Sequence, residues 1–132
     1  MIDYRVEIED EQVRAVLKAF GSGAFLEPAA KRIGVKLTTD LRRYPAQPSG
    51  STYRRTGLLG RRWVFKVRAG LFGASVTAGN NTVYAQWVQS EAKQAWMHEG
   101  RWQTEEQVLE ANVDYIEKEV NEAVEDQINK AT

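Results

Sequence analysis

Arg62-Trp63-Val64-Phe65-Lys66-Val67-Arg68-Ala69-Gly70-Leu71-Phe72-Gly73-Ala74-Ser75-Val76-Thr77-Ala78 is the stretch that decides the fold class. Its two runs, Arg62 to Arg68 and Ala74 to Ala78, are strand-like. Gly70-Leu71-Phe72-Gly73 sits between them, so the segment predicts an antiparallel hairpin with a four-residue turn. Gly79-Asn80-Asn81 then reads as a further turn. Upstream, Tyr4-Arg5-Val6-Glu7-Ile8 alternates apolar and polar side chains and predicts a short strand. Downstream, Val83 to Val88 suits either a third strand of this region or a short helix, and pattern alone leaves both open.

Helical spacing surrounds the hairpin. Val13, Val16, Leu17 and Phe20 predict a first helix, ended by Gly21-Ser22-Gly23. Leu26, Ala30, Ile33, Leu37 and Leu41 predict a second, with Pro28 in its first turn and Pro45 stopping it. Gly34 lies inside that helix at a cost of roughly 1 kcal/mol against alanine, which points to a close packing contact or a bend. Thr104-Glu105-Glu106-Gln107 is a capping-box pattern. It opens a long C-terminal helix over 104–131 with the stripe Leu109, Val113, Ile116, Val120, Val124, Ile128 and Ala131. The sum predicts one α+β domain over 1–132. An antiparallel sheet of three or four strands is packed by two N-terminal helices and the long C-terminal helix. Residues 45–57, rich in Pro, Gly and Ser, predict an extended arm or loop.

Composition bears on function mainly by what it lacks. The 132 residues contain no cysteine and one histidine, His98, which removes disulfides and thiolate metal sites. Without other His or Cys partners, His98 reads as a hydrogen-bonded structural residue. Glycine-rich phosphate loops and a His-Glu-x-x-His pattern are missing as well. No catalytic residue, cofactor or metal is therefore expected, and no small-molecule substrate. No apolar run is long enough to span a bilayer, and the first residues lack the pattern of a secretory signal, so neither a membrane partner nor export is expected.

Charge is segregated. Arg42, Arg43, Arg54, Arg55, Arg61, Arg62, Lys66 and Arg68 fall between Leu41 and Ser90, where no acidic residue occurs. Residues 91–132 carry eleven acids and four bases, and the whole chain sums to zero. Two complementary patches on a neutral chain suit contacts between copies of it, with Tyr53, Arg54, Arg55, Arg61 and Arg62 on one side and Glu110, Asp114, Glu117 and Glu122 on the other. The alternative is a nucleic-acid-binding module in which the arginine-rich 42–68 segment grips phosphates, with Tyr44, Tyr53 and Trp63 interleaved for stacking. The neutral total weighs against it. Trp63 and Trp87, on strand-like segments, are expected in the core; Trp96 and Trp102 suit either core or interface.

The string Tyr44-Pro45-x-x-Pro48-x-x-Ser51-x-Tyr53-x-Arg55-Thr56-Gly57-x-Leu59-x-x-x-Trp63 is followed by Tyr84-Ala85-x-x-Val88-Gln89 and then Gln94-Ala95-x-x-His98-x-Gly100-x-Trp102-x-Thr104. Together these resemble the minor tail, tail-completion or neck (head–tail joining) proteins of long-tailed phages and prophages, over about residues 30–104. Where more usual members of that family have an acidic residue and Gly-Thr after the Tyr-Ala, this chain reads Val88-Gln89-Ser90-Glu91. The resemblance implies a small α+β structural protein of the virion, assembled in the host cytoplasm. It would be one subunit of a six- or twelve-copy ring at the head–tail junction or tail top. Its neighbours would be head-closure or connector and tail tube proteins, with DNA passing through the lumen.

Overall fold

The computed structural model describes residues 2–7, 22–45, 58–70, 73–82 and 84–131. The hairpin is present as β2 (Trp63–Gly70) and β3 (Gly73–Asn80), paired antiparallel from Trp63↔Asn80 to Gly70↔Gly73. Both strands run further into the expected turn than the sequence suggests. Gly73, at φ 140°, takes a backbone conformation that a side chain would strain. The backbone of β1 (Ile2–Glu7) pairs antiparallel along the other side of β3, giving the order β1-β3-β2.

Gly79 and Asn80, expected in a turn, instead finish β3. The Asn80 carboxamide is buried and satisfied: Nδ2 donates to the Leu59 carbonyl at 2.7 Å, and Oδ1 accepts from the Thr82 N–H at 3.0 Å and its hydroxyl at 2.7 Å. The side chain thus does the work of a turn while the backbone stays extended.

A 3-10 turn over Ala24–Leu26 leads into α1 (Glu27–Leu41), with Pro in its first turn. All five expected stripe residues are buried: Leu26, Ala30, Ile33, Leu37 and Leu41. Each of the leucine and isoleucine side chains contributes about 1.5–3 kcal/mol by leaving water. They meet the inner row of the hairpin, Trp63, Val76 and Ala78, with Phe65 and Val67 partly buried beside them. At Gly34 helix and sheet are in close contact, because a Cβ there would run into the Phe65 ring. The close-contact reading of Gly34 explains the residue. Gly23 approaches the hairpin backbone to backbone, donating its N–H to the Gly70 carbonyl at 2.7 Å.

After α2 (Leu58–Arg61) and the hairpin come α3 (Ala85–Gln89) and a 3-10 turn over Trp96–His98. The 83–88 segment is therefore helical, and this corrects one burial assignment. In α3 Ala85, Val88 and Gln89 face inward, so Trp87 is turned out and is 49% exposed instead of lying in the core. Trp63 is fully buried, as expected.

The C-terminal helix is long but not continuous. α4 (Glu105–Ala111) and α5 (Val113–Ala131) are separated at Asn112. Thr104 caps α4 with the full capping box. Asn112 is buried, and its Nδ2 donates to Asp40 Oδ2 at 2.9 Å and to the Val108 carbonyl at 2.8 Å, which pins the break onto α1. The expected apolar stripe is buried only in its middle. Val120 and Val124 are inside, whereas Val113 and Ile128 are 43% and 40% exposed. α5 packs on α1 and on the Ala24–Leu26 turn, so α1 lies between the sheet and α5. The class is α+β, with an antiparallel sheet and a long C-terminal helix. The helix expected from Val13 to Phe20 and the arm over residues 46–57 lie outside the described residues.

Candidate functional site

Buried polar side chains hold the stretch between hairpin and C-terminal helices in one shape. Gln89 is 1% exposed; its Oε1 accepts from the Trp63 indole N–H at 3.1 Å. Its Nε2 donates to the carbonyls of Leu41 at 3.1 Å and Gln103 at 3.3 Å. One carboxamide thereby joins α1, β2, α3 and the entry to α4. Gln94 does the same at shorter range, donating to the Val88 carbonyl at 2.6 Å and the Trp102 carbonyl at 3.1 Å. The Thr104 hydroxyl donates to Glu91 at 2.6 Å while accepting from the Gln107 N–H. Unpaired buried polar groups cost roughly 1–3 kcal/mol each, so such a network specifies a single arrangement. His98 differs from expectation: its Nδ1 is buried with no hydrogen-bond partner, and the ring stands edge-on to Trp102 at 6.4 Å. Burial, then the charge of Arg101, pushes its pKa down.

The charges of α1 are consumed inside the molecule. Arg32 Nε donates to Glu119 Oε2 at 2.6 Å, joining α1 to α5, and Lys31 pairs with Glu27 at 3.3 Å. Asp40 takes Lys36 at 2.7 Å and Arg43 at 3.3 Å besides Asn112. Burial pushes the Asp40 carboxyl up, but the hydrogen bonds from Lys36 and Asn112 and the charges of Lys36 and Arg43 outweigh it and leave the pKa lowered. Arg42 is tied down too, donating to the Trp63 carbonyl at 2.9 Å.

The remaining charges face outward in two groups. On the basic side, Arg61 at the end of α2 and the adjacent Arg62 are exposed. Tyr53, Arg54 and Arg55 lie outside the described residues. The structure adds Lys66 and Arg68, exposed with Val64 on the side of β2 turned away from α1. The period of two along 62–68 is the signal that singles them out. On the acidic side, Glu110, Asp114, Glu117 and Glu122 are all exposed. A hollow at the start of α4 gathers Glu91, Glu105, Glu106 and Glu110. Glu105 is pushed up by burial, against two backbone hydrogen bonds that lower it, with the neighbouring charges of Glu106 and Glu91 raising it further. Among the described residues no ion pair joins Lys66 or Arg68 to these carboxylates.

Among the described residues the aromatics Tyr84, Trp87 and Trp96 are exposed, Trp96 at 80%. Trp102 is half-buried and packs on Tyr44 with ring centroids 5.0 Å apart. Among the described residues no cluster of His, Cys, Asp or Glu is built to hold a metal ion, and no helix is long and apolar enough to cross a membrane.

Comparison with protein-family models, with curated proteins and with solved structures finds no match to this chain.

Proposed function

We propose that this chain is a structural protein of a phage virion. It acts as one subunit of a ring at the head–tail junction or the top of the tail, and its work is assembly, without catalysis, cofactor or small-molecule substrate. The observation that carries the reading is the division of its charges. Those of α1 are neutralised within the chain, while β2 and the α4–α5 region turn opposite charges outward. Rings are built from contacts between two different patches on each subunit, and a neutral chain bearing one patch of each sign supplies both. The sequence resemblance to neck and tail-completion proteins favours the same reading. So does the Pro/Gly/Ser composition of the arm over 45–57, which suits a segment that becomes ordered on assembly.

In this reading Tyr53, Arg54, Arg55, Arg61 and Arg62 meet Glu110, Asp114, Glu117 and Glu122 of a neighbour. Head-closure and tail tube proteins flank the ring, and DNA passes through its lumen. The double variant Arg54→Glu/Arg55→Glu is expected to give a folded monomer that does not join the particle. Normal infectious virions from that variant would sink the reading. The exposed cations of β2 also suit a nucleic-acid module using the 42–68 segment. Its mark is DNA affinity that falls steeply with salt.

A further inference from the structure

The outer face of the hairpin has a specific counterpart on α5. On β2 the inner residues Trp63, Phe65, Val67 and Ala69 pack toward α1, and Val64, Lys66 and Arg68 alternate with them on the outside. Val64 is 59% exposed, and β3 sets small residues beside this row, since Val64 pairs with Gly79, Lys66 with Thr77 and Arg68 with Ser75. Two like charges are therefore held side by side on a strand, with an exposed apolar residue at one end.

α5 presents the converse. Glu122, Glu125 and Asp126 are exposed within little more than one turn. Lys118 and Lys130 stand four residues before Glu122 and four after Asp126, and among the described residues neither forms an ion pair with them. Arg32 gives Glu122 a share of its field, but its hydrogen bond and ion pair are with Glu119. The spacings match. Alternate residues of a strand are about 6.6 Å apart, and residues four apart on a helix rise about 6 Å. Lys66 and Arg68 can therefore meet Glu122 and Asp126 together.

We propose that the Val64/Lys66/Arg68 face of one copy receives the Glu122/Asp126 turn of a second copy of this chain. The inference rests on the ring-subunit reading and moves the basic half of the contact from the arm to the strand. It sets the two neighbouring cations of β2 against two neighbouring carboxylates of α5. It also leaves each copy with one unused face of each kind, so that contacts propagate until the ring closes.

The chain has no native cysteine, which gives a clean test. Arg68→Cys combined with Glu122→Cys or with Asp126→Cys, oxidised in concentrated solution at low salt, should give a ladder of covalent oligomers with one of the two pairings. Single-cysteine variants should stop at dimers. Separately, Lys66→Glu/Arg68→Glu and Glu122→Lys/Asp126→Lys should each weaken self-association by about 100-fold. Mixing the two variants should restore it, because each then supplies the face the other lost. Wild-type protein that forms rings insensitive to both reversals, with no ladder, overturns this contact and leaves the ring reading standing. A wild-type chain that is monomeric in solution and absent from particles overturns both. Loss of DNA-oligonucleotide binding in Lys66→Glu/Arg68→Glu, with self-association unchanged, assigns the face to nucleic acid and overturns the proposal.

Discussion

α1 and α5 are both amphipathic helices, and they spend their charges differently. α1 lies between the sheet and α5, and Lys31, Arg32 and Lys36 all find carboxylates within the molecule. α5 is packed on one side, and among the described residues its one ion pair is Glu119 with Arg32. Charges with internal partners hold the fold. Exposed charges that form no ion pair among the described residues, such as Glu122 and Asp126, contribute little to the fold and can meet something opposite.

The sharpest way to break that comparison is to mutate both helices and read both stability and association. Ile33→Ala, fully buried on α1, should cost about 3–4 kcal/mol in denaturant unfolding by leaving a cavity. Glu122→Lys/Asp126→Lys on α5 should change stability by about 0.5 kcal/mol or less, as surface substitutions do. A reversal on α5 that unfolds the protein would erase the distinction between the helices.

Asp40→Ala tests the internal side more finely, since it strands Lys36, Arg43 and the Asn112 amide together. A loss of about 2–3 kcal/mol is expected. The same residue sets a pH dependence. Its folded pKa is lowered, so its contribution is present above the ordinary carboxylate range and is lost as pH falls through the folded value. Acid titration of stability should show that loss in the wild type and a shallower one in Asp40→Asn.

Gly34→Ala pits helix propensity against the Phe65 ring and should cost about 1–3 kcal/mol. A gain in thermal stability would show that the ring moves aside freely. Glu105→Gln is the smallest effect. Because the folded pKa of Glu105 is raised, its ionised form opposes folding above the usual carboxylate range. Removing the charge should raise stability at neutral pH by about 0.3 kcal/mol, a gain limited by solvent screening.

The elements legible in advance were those with a clean period. The α1 stripe and the hairpin follow from spacing alone, and the capping box at Thr104 marks the start of α4 to the residue. Side chains that bond across long sequence separations were not legible. Asn112 breaks the C-terminal helix because it reaches Asp40, seventy-two residues away. Asn80 is anchored to Leu59, twenty-one residues away, and no local pattern announces either long-range contact. Trp87 was misplaced because a short apolar run fits both periods, and only the helical one turns it outward. For the candidate site, the charge division was visible in the sequence. The choice of Lys66 and Arg68 required knowing which face of β2 meets α1.

The measurement that bears most directly on the account is the native mass of the wild-type protein across concentration and salt, alongside its copy number in purified phage particles. A single closed species of six or twelve 15.0 kDa chains that dissociates as salt screens its contacts, with the same count in particles, is the predicted result. A monomer at every concentration, with no copies in the particle, would contradict it.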